Sequence, residues 1–178
     1  MANFTFLEGK SEFSSFANAC IHAEEIYKDS PNSSVTTSRQ ALENIVEYIY
    51  ANNGNLRNVN ISGQKLFDLM EYPAFKNMIP HKLFNKMHTI RQLANDILHN
   101  NRQISEKQAV LCLRALFEIV QWVDKKYGRD YFPRQFDEDD VPENDSLLKK
   151  AGKYAAAAAV GGVILTGLKS VFLDDRRY

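Results

Sequence analysis

The stretch Thr89 to Asn100 reads TIRQLANDILHN and sets Arg91, Asn95, Asp96 and His99 within three turns of an apolar helical pattern. Such residues can cleave RNA. A histidine moves a proton to or from a reacting oxygen, and an arginine stabilises the charge that develops around phosphorus. Both groups must then share one face. Residues seven apart on a helix return to within about 20° of each other, whereas residues eight apart stand about 80° apart. Arg91 and His99 are separated by eight positions, and the residue seven before His99 is the uncharged Gln92. The spacing therefore predicts a polar helix end that caps neighbours, holds an interface or binds a ligand. Metal-independent RNA cleavage is expected to be absent or very weak.

Other reactive constellations are missing from the sequence. No cysteine–histidine cluster has metal-ligand spacing, and there is no glycine-rich phosphate loop or G-x-S-x-G turn, so neither a metal nor a cofactor is expected. Arg39 and Glu43, one helical turn apart, read as a structural salt bridge. His22, His81 and His88 read as surface or boundary histidines. Cys20 and Cys112 lie inside apolar helical patterns and are expected as reduced core residues.

The elements that position these residues follow a helical period throughout. A first helix spans Glu12 to Lys28. A second, capped around Ser33 and Ser34, runs to about Ala51 and ends at NNGN. A short third helix covers Ser62 to Met70 and is closed by Pro73. The fourth runs from His81 to His99 behind Pro80, and the fifth from Glu106 to Tyr127 with Ser105 as its N-cap and Gly128 beyond its end. No segment alternates convincingly with period two. The expected fold class is all-α, a bundle of four or five helices over residues 1–136.

Charge divides the chain further. Residues 1–136 carry 16 basic and 14 acidic side chains, so the body is nearly neutral and bulk charge gives no argument for nucleic-acid affinity. DEDDVPEND then supplies six acids and no base, which marks an acidic linker over 137–146. Residues 147–178 hold a C-terminal apolar segment. The first residues, MANFTFLEGK, lack the basic start and apolar run of a signal peptide.

Tyr154 to Leu173 is interrupted by one charge, Lys169. Twenty helical residues span about 30 Å, the thickness of a bilayer's hydrocarbon core. Lys149, Lys150 and Lys153 precede the segment and predict that the bundle lies on the cytoplasmic side. The alternative is a buried helix at the centre of an oligomer, because five alanines contribute little to insertion. Ala158, Gly162, Thr166 and Ser170 recur every four residues. Such a small, partly polar stripe lets helices approach closely. A ring of these helices would turn Thr166, Lys169 and Ser170 toward a wet lumen, so a homo-oligomer in contact with membrane lipid is expected.

Two motifs carry a family resemblance. SRQALE (Ser38 to Glu43) and IRQLANDILH (Ile90 to His99) resemble the small helical domain at the start of type I restriction R subunits. That domain is in turn similar to the HEPN superfamily of defence ribonucleases and nucleotide-binding bundles. The resemblance covers roughly residues 4 to 127. It implies a HEPN-like bundle whose arginine–histidine motif, here the degenerate set Arg91, Asn95, Asp96 and His99, meets a second copy across a dimer.

A HEPN-like bundle joined to one short membrane helix resembles the small accessory proteins encoded beside RNA-targeting type VI CRISPR nucleases. That resemblance implies an antiviral accessory at the bacterial inner membrane, which forms an oligomeric pore and strengthens interference by the nuclease. Two other readings stand beside it: a HEPN ribonuclease using Arg91 and His99, and a membrane-tethered adaptor that binds RNA or another protein.

Overall fold

The computed structural model describes residues 3–137. Two 3-10 turns, Thr5–Leu7 and Ser11–Phe13, lead into α1 (Ser14–Glu25) and α2 (Pro31–Asn52). The short helices α3 (Leu66–Glu71) and α4 (Pro73–Met78) follow, then α5 (His81–Asn100) and α6 (Glu106–Tyr127). The described residues contain no strand, so the all-α class holds. The expected linker and apolar tail, including Ala158, Gly162, Thr166, Lys169 and Ser170, lie outside the described residues apart from Asp137. Among the described residues no helix is long and apolar enough to cross a membrane.

Helix boundaries show where local signals are read correctly. α6 has the expected limits, and Ser105 forms a capping box with Gln108. α5 ends at Asn101, whose φ of 48° is left-handed, so the asparagines after His99 do stop the helix.

Prolines are where the reading falls short. Pro73 does not simply close one helix. It opens α4 at a first-turn position, where its missing N–H is harmless. Tyr72, held extended before the proline at ψ 126°, makes the break between α3 and α4. The count is therefore six α-helices among the described residues, not four or five. Likewise α2 begins at Pro31. Ser34, expected near its cap, is buried and donates its hydroxyl to the Ala23 carbonyl at 2.7 Å, tying α2 to α1.

α2 is the central helix, packing on α1, α5 and α6, while α5 and α6 pack on each other. Leu42, Ile45, Ile49, Ile90, Leu113 and Val120 are fully buried between them. Each such side chain stabilises the fold by about 1.5–3 kcal/mol through area removed from water. Cys20 and Cys112 are free and buried, as expected, and burial pushes the Cys112 thiol up to about 12. Tyr50 anchors α3 and α4 by donating its hydroxyl to the Leu69 carbonyl at 2.8 Å and stacking on Phe75.

Buried carboxylates fasten both ends of the described chain. Glu24 accepts from the Asn3 backbone N–H and side-chain amide, each at 2.8 Å, and from the Phe4 N–H at 3.1 Å. Asp124, fully buried on α6, accepts from Lys10 at 2.7 Å and from Arg134 at 3.3 Å. Burying a carboxylate is costly unless its oxygens are matched in this way.

Candidate functional site

The four polar residues of α5 do not form one constellation. Arg91 is half-buried, and its guanidinium lies over the Phe67 ring at 4.9 Å from the centroid. Asp96 turns to Arg102, accepting at 2.9 Å, and also accepts from Asn100 at 3.3 Å. Asn95 is half-buried on the same helix, and His99 is exposed on the last turn. Eight residues also separate Arg91 and His99 by about 12 Å along the axis, besides their angular offset. Within one chain, Arg91 packs on Phe67 while His99 sits on the exposed last turn of α5.

Arg91 belongs instead to a cluster built across helices. Arg39, the matching arginine of the SRQALE motif, comes from α2 and reaches Glu43 through Nη1 at 3.8 Å, the expected salt bridge. α3 contributes Phe67 and Glu71. One Glu71 oxygen accepts from Lys76 at 2.7 Å, and the other lies 3.1 Å from His88 Nε2. The His88 ring meets Phe84 edge-on at 4.6 Å, with Phe67 at 6.1 Å. Phe67 itself remains 44% exposed.

Electrostatics follow from this packing. Burial pushes Arg91 below its ordinary value, and the neighbouring Arg39 guanidinium adds to that, with Glu71 opposing. Burial likewise lowers His88 from 6.5, helped by Arg91 and opposed by Glu71. Burial thus favours the neutral His88 ring, whose Nε2 faces the Glu71 carboxylate. The Lys76 hydrogen bond holds Glu71 below the usual carboxylate range. Both Arg39 and Arg91 bury an Nε–H that has no hydrogen-bond acceptor.

The cluster differs from the sequence reading in its membership. Phe67, Glu71 and His88 were not singled out as site residues; His88 is half-buried, at the boundary position expected of it. The signal that points to it is the repeated Arg-Gln pair, Arg39–Gln40 on α2 and Arg91–Gln92 on α5, on two helices that pack together. His22 and His81 are both at the surface.

An opening of about 360 Å³ lies elsewhere, lined by Phe6, Lys10, Glu12, Arg129, Phe132 and Arg134 among others. Its Lys10 and Arg134 are engaged by Asp124, and Arg134 stacks over Phe6 at 4.0 Å. These contacts explain it as the seam where the two ends of the described residues meet. No three His, Cys, Asp or Glu side chains among the described residues are grouped as metal ligands.

No curated protein and no solved structure matches this chain. A family model described as "Domain of unknown function (DUF4145)" matches residues 22–151, a window that takes in both arginines of the cluster and His99. That window is well over half of the sequence, and the chain belongs to the DUF4145 family.

Proposed function

We propose that this protein is a nonenzymatic antiviral-defence accessory that oligomerises through its apolar tail into a membrane pore. In this reading it enhances an RNA-targeting CRISPR nuclease by perturbing the inner membrane. The observation that carries the proposal is a contrast between the two parts of the chain. The bundle's Arg91 and His99 stand eight positions apart on α5, out of helical register, while the sequence from Tyr154 to Leu173 is long enough to span a bilayer and repeats small residues every fourth position. The bundle then serves as the cytoplasmic regulatory part and the tail as the effector.

Substitution within the small-residue stripe tests this. Gly162→Leu favours insertion yet blocks close helix approach. The variant is expected to stay in the membrane fraction but to lose depolarisation, read with a potential-sensitive dye in cells whose defence system is triggered. Deleting residues 154–173 is expected to release the protein from membranes. A wild type that fractionates as soluble, or a Gly162→Leu variant that depolarises fully, refutes the pore.

A second reading, a membrane-tethered adaptor, is favoured by the arginine cluster between α2 and α5. Under that reading the tail only anchors, and triggered cells keep their membrane potential.

A further inference from the structure

We infer that residues 129–137 form a detachable strap, caught by the buried carboxylate of Asp124, whose release moves the point at which the rest of the chain leaves the bundle. The inference concerns the bundle and does not depend on what the tail does.

The strap follows α6 without regular secondary structure and runs back along that helix. Three of its backbone N–H groups donate to side chains of the bundle. Arg129 donates to Glu12 at 3.2 Å, Arg134 to Gln121 at 3.1 Å and Asp137 to Asn3 at 2.6 Å. Phe136 meets Phe117 edge-on at 5.6 Å, and the Arg134 guanidinium lies over Phe6. None of residues 129–137 is buried, and Phe132 is 66% exposed. Between strap and bundle lies the opening of about 360 Å³, with Phe6, Lys10 and Glu12 on the bundle side and Arg129, Phe132 and Arg134 on the strap side. The strap therefore bridges a gap instead of packing into the core. A segment with few buried apolar contacts and exposed backbone opens locally, ahead of the helices.

Asp124 allows such opening without stranding a charge. Its carboxylate accepts from Lys10, which lies between the two 3-10 turns, at 2.7 Å, and from Arg134 of the strap at 3.3 Å. When the strap leaves, Lys10 stays, so the buried carboxylate keeps a cation. The shorter bond is the permanent one, and the longer bond is the catch. Lys10 also donates to the Asp130 carbonyl at 2.7 Å, a bond that water replaces on opening. Docked, the strap ends at Asp137 beside Asn3; released, the chain leaves the bundle at the end of α6. Phe117, where Phe136 sits, is about 15 Å from Tyr127 along the helix, and the freed residues extend by up to about 30 Å. The strap thus sets where the acidic linker starts and how far the rest of the chain reaches.

Hydrogen exchange of the full-length protein in nonionic detergent, read by mass spectrometry, compares the strap with α6 in one molecule. In the wild type the strap is expected to be protected, yet to exchange at least about a hundredfold faster than the middle of α6. Arg134→Gln removes the catch and Phe136→Ala the ring contact. Each is expected to speed exchange in the strap about tenfold and to leave α6 unchanged. Spin labels on Glu8→Cys and Gln135→Cys, both exposed positions, distinguish release from loosening in place, since Cys20 and Cys112 are buried. Arg134→Gln is expected to add a population at longer distance. A strap that exchanges together with α6, a strap without protection in the wild type, or a label distance unchanged by Arg134→Gln would each overturn the inference.

Discussion

Gly128 tests whether the end of α6 is held by tertiary contact or by backbone preference. Its φ of −73° is open to any residue, so conformational freedom is not what glycine supplies here. On that basis alone Gly128→Ala would stabilise the protein by about 0.4–1 kcal/mol, through a less flexible unfolded chain. The packing reverses the sign. A Cβ at this position would lie 2.1 Å from Asp124 Oδ1 and 2.6 Å from the Asp124 backbone oxygen. Neither atom can retreat easily. The carboxylate is fully buried and fixed by Lys10 and Arg134, and the backbone oxygen accepts the Gly128 N–H at 2.8 Å. Overpacking costs about 1–3 kcal/mol, and two rigid contacts place this case in the upper half. The net expectation is a loss of about 2 kcal/mol, or roughly 7 °C in Tm for a domain of this size. Trp122, six positions before Gly128 and beside Tyr127 and Lys126, reports the melt by fluorescence. In an Asp124→Ala background the nearest clash is gone, so the same glycine substitution should cost at least about 1 kcal/mol less. A Gly128→Ala protein that melts at or above the wild-type temperature would refute the argument.

The remaining expectations are briefer. Ser105→Ala removes the capping box of α6 and should cost about 1 kcal/mol in the same melt, while Ser105→Asp should restore most of it. His88 binds its proton less readily in the folded state, so its contribution to stability is whole above the unfolded value near 6.5 and is lost as pH falls through the lower folded value. His88→Gln should flatten that part of the stability–pH profile, and an NMR titration of His88 with a midpoint above 6.5 would contradict the assignment. Purified protein should not cleave single-stranded RNA without metal. Cleavage that disappears in His99→Ala would show that a second copy completes the site.

Much of the bundle is legible in the sequence because its causes are local. A 3.6-residue period, a Ser105 cap with Gln108 three residues later, and asparagines beyond His99 determine α5 and α6 through contacts within a few residues. The Arg39–Glu43 pair is of the same kind, since one helical turn sets its reach. The burial of Cys20 and Cys112 also follows from that period. Pro73 was half legible: a proline forbids continuation of one helix, but only packing of Tyr50 against α3 and Phe75 decides that another starts at once. The partners of Arg91 were not legible. Along the sequence its natural companion is His99 on the same helix, yet the companions it has are Phe67, Glu71 and Arg39 from α3 and α2. A helical period fixes which face a side chain occupies, but the partner on that face is chosen by how the helices pack, and that choice depends on the whole core.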